Sequence, residues 1–245
     1  MVKKYLSLVK FSHTIFALPF AFIGFFMGVF VDAQQKNLPM LDVLLQKQML
    51  QLFLLVLVCM VTARSAAMAF NRYLDRHFDA KNPRTAIREI PSGVIAASSA
   101  LRFVILNAVI FIAATYFINP ICFYLSPVAL FVILFYSYTK RFTALCHMVL
   151  GLGLSLAPIG AYLAVTGSFA ILPILFSCVV ICWVSGFDII YAMQDVDFDA
   201  SQNLHSIPTY LGKVNALRLS VLLHIIAAAL VIVAGVLAGY GYFYW

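Results

Sequence analysis

Apolar runs of about 20 residues recur from one end of this 245-residue chain to the other. A run of that length crosses the hydrocarbon core of a bilayer as a helix, which satisfies every backbone polar group there. Only 10% of the residues are charged, which excludes an ordinary water-soluble domain. The sequence therefore predicts an all-α, polytopic transmembrane helical bundle that forms a single domain over residues 1–245. About seven spans are expected, near residues 14–31, 50–71, 100–118, 121–138, 145–165, 171–191 and 215–239.

Basic residues are distributed unevenly around these spans. With the N-terminus inside, thirteen Lys and Arg side chains fall on the cytoplasmic side, and only Lys36 and Lys47 fall outside. Such a bias predicts an integral protein of a bacterial cytoplasmic (inner) membrane, with its N-terminus in the cytoplasm. The net charge of +7 is then consistent with membrane topology, membrane lipid is an expected partner, and no nucleic-acid partner is predicted.

Five of the nine acidic residues lie in two short stretches, each at the predicted cytoplasmic end of a span. The stretches read NRYLDRHFD at 71–79 and YAMQDVDFD at 191–199, and they align at a constant offset of 120 residues. This weak internal repeat predicts two pseudo-symmetric halves around a central cavity, with the two acidic helix ends facing each other.

The aligned carboxylates indicate a metal site. Asn71, Asp75 and Asp79 share one helix face, and Asp195 and Asp199 lie one turn apart. Four like charges converging at a membrane surface repel each other unless a divalent cation compensates them. Mg²⁺ prefers carboxylate oxygens and bridges to phosphates, so it is the predicted ion between these carboxylates.

Basic residues flank both acidic stretches and would match a polyanion bound through the metal, so the sequence predicts a diphosphate site. The alternative is that the acidic groups are ordinary loop charges, some of them in salt bridges. The flanking cations are Arg72, Arg76, Lys81, Arg84, Lys140 and Arg141.

Two charged residues lie deeper in the membrane. Arg64 precedes Asn71 by seven residues and Asp188 precedes Asp195 by seven, so each is two helical turns, roughly 10 Å, further in. Both are expected to line a polar cavity, since an ionisable group that faces lipid costs several kcal/mol. They form either an ion pair that joins two helices or a binding site for a small polar acceptor. In the second case Arg64 binds a carboxylate and Asp188 orients or deprotonates a hydroxyl.

Three ordered motifs make the chain resemble the UbiA superfamily of intramembrane aromatic prenyltransferases. NRYLDRHFD matches its NxxxDxxxD motif, DVDFD its DxxxD motif, and YSYTK at 136–140 its YxxxK motif. Two further stretches resemble its bacterial 4-hydroxybenzoate polyprenyltransferase branch, namely KFSHTIFALPFA and FDASQNLHSIPTYLG. The family bundle usually has nine helices, so its last two helices are expected to be missing from this sequence.

The resemblance assigns roles to individual residues. Asn71, Asp75, Asp79, Asp195 and Asp199 become magnesium and diphosphate ligands. Tyr136 and Lys140 become diphosphate contacts, while Arg64 and Arg141 become candidates for binding an aromatic carboxylate. Arg72 remains a candidate substrate-binding residue from its position beside the motif. The family assigns no role to Asp188, which therefore rests on helix geometry alone.

The resemblance implies Mg²⁺-dependent transfer of a polyprenyl group from polyprenyl diphosphate to a small aromatic carboxylic acid such as 4-hydroxybenzoate, in quinone (ubiquinone or menaquinone) biosynthesis. Prenylation of a hydroxynaphthoate or dihydroxynaphthoate in menaquinone synthesis is the nearest alternative. A seven-helix transporter or receptor is the alternative of a different class. Within the reaction, Asp75, Asp79 and Asp188 are all candidates for the base, and the sequence does not choose among them.

Overall fold

The computed structural model describes residues 2–242 and 244, without the side chains of Val2 and of residues 11–16. All regular elements of the described residues are helical. They are α1 (Val2–Leu8), α2 (Phe11–Lys36), α3 (Met40–Leu44), α4 (Lys47–Lys81), α5 (Ala97–Tyr116), α6 (Pro120–Thr139), α7 (Cys146–Thr166), α8 (Ile171–Ala192), a 3₁₀ turn (Met193–Asp195), α9 (Val196–Ser201) and α10 (Ile207–Ala238).

Seven candidate membrane spans occur in the described part of the chain, which confirms the all-α bundle and the predicted number of spans. The break between the third and fourth spans forms at Asn119 and Pro120. The Asn119 side chain accepts a hydrogen bond from the backbone N–H of Cys122 at 2.9 Å, and Pro120 begins α6. α6 therefore begins directly at this break, because an N-cap oxygen and a proline at the first helical position both favour helix initiation.

Two helices extend well beyond the apolar runs that predict them. α4 continues ten residues past the predicted end at residue 71, because no Gly or Pro interrupts residues 47–81. α10 begins eight residues earlier than predicted, at a capping box between Ser206 and Thr209, but Gly212 (φ 76°) is non-helical and separates a short first segment from the long apolar one. Membrane thickness limits the apolar run, whereas caps and helix breakers limit the helix. The first acidic stretch therefore sits on a continuous helix that projects past the predicted span.

The helices surround a central cavity. α7 packs against α2, α6 and α8, while α4 packs against α5, α6 and α2, and α10 packs on α8. At Gly24 a Cβ atom would lie 1.8 Å from the carbonyl oxygen of Pro158, so the backbones of α2 and α7 touch there. The C-terminal ends of α4 and α8 lie at the same end of the bundle, where Asn82 Nδ2 donates to Asp195 Oδ1 at 3.1 Å. Both acidic stretches thus face one opening.

Candidate active site

One cavity of about 750 Å³ connects the acidic helix ends with the apolar interior. Its walls come from α4, α5, α6, α7 and α8 and from the loop at residues 82–96. Along α7 the lining runs from His147 to Ala164, a rise of about 26 Å. Most of this length is apolar. The cavity therefore joins a charged mouth to a long apolar channel.

We call the charged mouth the rim and define it by Asp75, Asp79, Asp195 and Asp199, all of which line the cavity. The predicted ligand Asn71 lines it as well, as do the predicted contacts Tyr136 and Lys140. The structure thus brings together the two acidic stretches, which lie 120 residues apart in sequence, and the YxxxK motif that lies between them.

On the α4 side of the rim each aspartate has an arginine partner. Arg141 Nη2 donates to Asp75 Oδ1 at 2.8 Å, and Asn71 Nδ2 donates to Asp75 Oδ2 at 3.1 Å. Arg88 Nη1 donates to both oxygens of Asp79, at 2.8 and 2.9 Å. These contacts neutralise both carboxylates of the first motif.

On the α8 side the pattern repeats. Arg84 pairs with Asp195 through Nη2 and through Nε, the latter at 3.0 Å, and Asn82 donates to the same carboxylate. Lys140 Nζ lies 2.8 Å from Asp199 Oδ1. Asp199 is 1% exposed, and its Oδ2 has no hydrogen-bond partner among the described residues. The hydrogen bond to Asp195 raises the pKa of Arg84 above its usual value, so this arginine stays charged.

The rim offers only oxygen donors to a metal, namely four carboxylates and the Asn71 amide. This donor set fits Mg²⁺, which prefers hard oxygen ligands and keeps several waters. The unpartnered Oδ2 of Asp199 also fits a ligand that is not protein. In the conformation described, no three His, Cys, Asp or Glu side chains of the described residues lie close enough to share one ion. Binding of one metal ion by three of these side chains therefore requires them to move closer together.

Arg72 and Arg141, both predicted to bind substrate, are engaged by the protein. Arg72 is buried and its Nη1 donates to Glu89 Oε2 at 2.7 Å, which fastens the 82–96 loop to α4. Arg141 lies at the rim, where it pairs with Asp75. On α4, Asp75 is eleven residues from Arg64, which corresponds to a helix rise of about 16 Å. Arg64 lines the cavity, whereas Arg141 is not among its lining residues.

Two rim arginines were absent from the predicted set of binding residues. From the sequence, Arg84 is predicted only to flank the acidic stretches, and Arg88 is predicted only to be one of the thirteen basic residues on the cytoplasmic side. Both lie on the 82–96 loop, which has no helical period that would indicate the direction of a side chain. Their partners, Asp195 and Asp79, become apparent only when the loop folds back across the cavity.

Deeper in the cavity lies a second polar region, which we call the inner site and define by Arg64, Tyr136 and Asp188. Arg64 Nε is buried and has no hydrogen-bond partner among the described residues. Asp188 Oδ2 lies 2.6 Å from His147 Nδ1. An Arg64–Asp188 ion pair, one of the two predicted alternatives, is therefore not formed. His147 was missed, because a lone histidine at the start of an apolar run carries no local signal of its partner.

Comparison with known proteins relates this geometry to a family. A model described as the UbiA prenyltransferase family matches residues 17–245. A 4-hydroxybenzoate octaprenyltransferase from Tolumonas auensis is 34% identical over 65% of this chain and 56% of its own length. One from Shewanella halifaxensis is 29% identical over 80% of this chain and 68% of its own length. The matched stretch thus spans between about half and two thirds of these relatives.

Solved structures show the same fold. The apo structure of a UbiA homolog from Aeropyrum pernix has a TM-score of 0.82 and 32% identity, covering 95% of this chain and 82% of that one. A UbiA homolog from Archaeoglobus fulgidus, bound to DMAPP and Mg²⁺, has a TM-score of 0.74 and 22% identity, covering 96% and 78%. With the family match over residues 17–245, these likenesses show that the chain belongs to the UbiA prenyltransferase family.

Proposed function

We propose that this protein transfers a polyprenyl group from polyprenyl diphosphate to an aromatic acid such as 4-hydroxybenzoate, with Mg²⁺ as cofactor, in quinone biosynthesis. The observation that carries the proposal is one cavity, in which a rim of paired carboxylates and cations continues into a mostly apolar channel that follows α7 for about 26 Å. A polyprenyl diphosphate has the same division into a charged head and a long apolar tail.

At the rim, Mg²⁺ would be held by Asn71, Asp75, Asp79, Asp195 and Asp199. When bound, the ion supplies charge neutralisation for the departing diphosphate. The cations that now pair with the aspartates are then free to bind phosphate oxygens, since Arg and Lys prefer such charge-assisted contacts. The cations are Arg84, Arg88, Lys140 and Arg141.

Each isoprene unit adds four bonds along the tail, or about 5 Å when extended. The apolar channel therefore accommodates about five units before it reaches the far end of the bundle. Helix walls and bilayer exclude water along this length, so an allylic cation formed at the rim would be protected from hydrolysis. A longer tail would leave the bundle and lie in lipid.

At the inner site the guanidinium of Arg64 is available for the carboxylate of the acceptor, because none of the ion pairs among the described residues involves it. The relatives named 4-hydroxybenzoate octaprenyltransferase support this class of acceptor. Membership of a prenyltransferase family argues against the transporter or receptor alternative.

We further propose that the N-terminus and both acidic stretches face the cytoplasm across a bacterial inner membrane. The excess of basic residues on that side supports this orientation. Labelling with a membrane-impermeant thiol reagent tests it, after Cys59, Cys122, Cys146, Cys178 and Cys182 are replaced and one cysteine is returned at Lys81 or Lys36. In sealed right-side-out vesicles only the Lys36→Cys variant should react, and the opposite result would reverse the topology.

The activity is tested with purified protein, a polyprenyl diphosphate, 4-hydroxybenzoate and Mg²⁺. Asp75→Asn and Asp195→Asn should each reduce prenyl transfer at least about a hundredfold, because each removes a metal ligand with little change in shape. EDTA should abolish transfer, and added Mg²⁺ should restore it. A hydroxynaphthoate assayed in parallel tests the alternative acceptor.

Asp197→Asn is the matched control, because Asp197 lies in the same short motif but is exposed and does not line the cavity. It should retain activity close to that of the unmodified protein. Full activity in Asp75→Asn and Asp195→Asn, or transfer that is indifferent to EDTA, would overturn the proposed mechanism.

A further inference from the structure

His147 and Asp188 form a pair at the inner site, and no step proposed above for prenyl transfer uses it. His147 is 3% exposed, and its Nδ1 lies 2.6 Å from Asp188 Oδ2. Asp188 keeps 28% of its side chain exposed, and both residues line the cavity. The pair therefore has a protected side and a side that faces a ligand.

The second ring nitrogen determines which tautomer His147 adopts. The backbone N–H of Ile207 donates to His147 Nε2 at 3.2 Å. Ile207 is the first residue of α10, where a backbone N–H has no partner within its own helix. Because Nε2 accepts this hydrogen bond, it carries no proton, and the proton of the neutral ring resides on Nδ1. His147 consequently donates to Asp188, which accepts as a carboxylate.

Three helices hold the pair in place. His147 lies on α7, Asp188 on α8 and Ile207 on α10. Ser185 on α8 also donates its hydroxyl to the carbonyl oxygen of His147 at 3.1 Å. The imidazole is therefore fixed by contacts on both nitrogens and at its backbone, which is the arrangement that makes a supporting residue effective.

The other oxygen of Asp188 is available to a ligand. Oδ1 has no hydrogen-bond partner among the described residues, and Asp188 lines the cavity at the depth of Arg64. Arg64, on the α4 wall, is likewise without an ion-pair partner in the described part of the chain. A ligand with a carboxylate at one end and a hydroxyl at the other complements these two groups.

We infer that His147 is a positioning residue that keeps Asp188 as a charged hydrogen-bond acceptor for the hydroxyl of the aromatic acceptor. The inference rests on the proposed function. On this inference Asp188 selects acceptors that carry a phenolic hydroxyl. His147, which lies on α7 and is bound by α10, orients the Asp188 carboxylate.

Asp188 would hold the phenolic proton during prenyl transfer. The C–O bond of the prenyl diphosphate breaks with its electron pair on the diphosphate, and a π pair of the ring forms the new C–C bond ortho to the hydroxyl. The phenolic proton moves to Asp188, which leaves a neutral dienone. The ring hydrogen then leaves as a proton to the freed diphosphate, and Asp188 returns its proton to the oxygen. The net products are the prenylated phenol and diphosphate carrying one more proton.

The test compares the affinities of 4-hydroxybenzoate and benzoate, measured by calorimetry on the purified full chain. Replacement of His147 by Gln removes the donor at the δ position, whereas replacement by Asn retains a donor there. His147→Gln should lower the preference for 4-hydroxybenzoate about ten- to a hundredfold, which corresponds to one hydrogen bond to a charged group. His147→Asn should keep the preference within about threefold of the unmodified protein.

Asp188→Asn provides a second variant that leaves His147 in place, and it should lose the same preference. His224→Asn is the matched control, because His224 packs on α8 at Gly186 but does not line the cavity. It should change neither affinity. Binding of prenyl diphosphate should be unaffected in all four variants, which also shows that they are folded.

The outcomes separate this inference from the proposed function. If the unmodified protein binds prenyl diphosphate and transfers the prenyl group, but His147→Gln keeps its preference for the hydroxyl, the inference is wrong. Equal losses of affinity for both acids would show a purely structural role and would also refute it. Failure of the unmodified protein to bind prenyl diphosphate would instead refute the proposed function.

Discussion

The rim and the inner site satisfy their charges in different ways. At the rim every aspartate is paired with its own arginine or lysine, and most of these pairs are partly exposed. At the inner site Arg64 has no ion-pair partner in the described part of the chain, and Asp188 is held by a buried histidine. The paired aspartates and cations of the rim can exchange partners when a metal ion and a diphosphate bind. Charges that remain separate are available from the start for a small ligand.

The comparison makes Arg64 the most sensitive position of the inner site. Arg64→Met should raise the KM for 4-hydroxybenzoate about ten- to a hundredfold, since a hydrogen bond to a charged group is worth about 1.5–3 kcal/mol. The affinity for prenyl diphosphate should not change. Initial rates measured at varied concentrations of each substrate separate the two effects. A rise in KM for the diphosphate substrate alone would show that Arg64 belongs to the rim.

The rim is expected to respond less to the loss of any single cation, because several cations share the diphosphate. Arg88→Gln should raise the KM for prenyl diphosphate several-fold and leave the KM for the aromatic acid unchanged. Arg102→Gln is the control, because Arg102 is exposed, donates to Ser99 and is not among the residues that line the cavity. Steady-state kinetics on both variants test this. Equal effects of the two substitutions would argue against direct binding by Arg88.

Ionic strength should give the smallest effect. Raising the salt from about 0.1 M to 1 M shortens the Debye length from about 10 to about 3 Å. The rim, at the mouth of the cavity, should then bind prenyl diphosphate about threefold more weakly, whereas binding of the aromatic acid at the inner site, which lies deeper in the cavity, should change less. Titrations at fixed Mg²⁺ concentration measure both. If salt weakened binding of the aromatic acid more than binding of prenyl diphosphate, the proposed difference between the rim and the inner site would be wrong.

Much of the candidate site was predictable because its residues follow the period of a helix. Asn71, Asp75 and Asp79 lie one turn apart on α4, and Arg64 lies two turns deeper on the same helix. Since the direction of such side chains follows from their spacing, the shared rim and the polar region beneath it could both be expected. The structure confirms that these residues line one cavity.

The unpredicted residues are those whose partners depend on how separate segments meet. Arg84 lies 111 residues from its partner Asp195, and His147 lies 41 residues from Asp188. The loop that carries Arg84 and Arg88 has no helical period, and His147 is isolated in an apolar run. Local patterns carry no information about such contacts, because they depend on the packing of whole helices.

By itself the sequence determined that this chain is a bundle of membrane-spanning helices with two acidic helix ends, because apolar length and helical period are local properties. Only the tertiary structure decided which cation neutralises which aspartate, and that His147 rather than Arg64 pairs with Asp188. Buried charges must find partners, and the packing of α4, α7, α8 and α10 determines which partners are within reach.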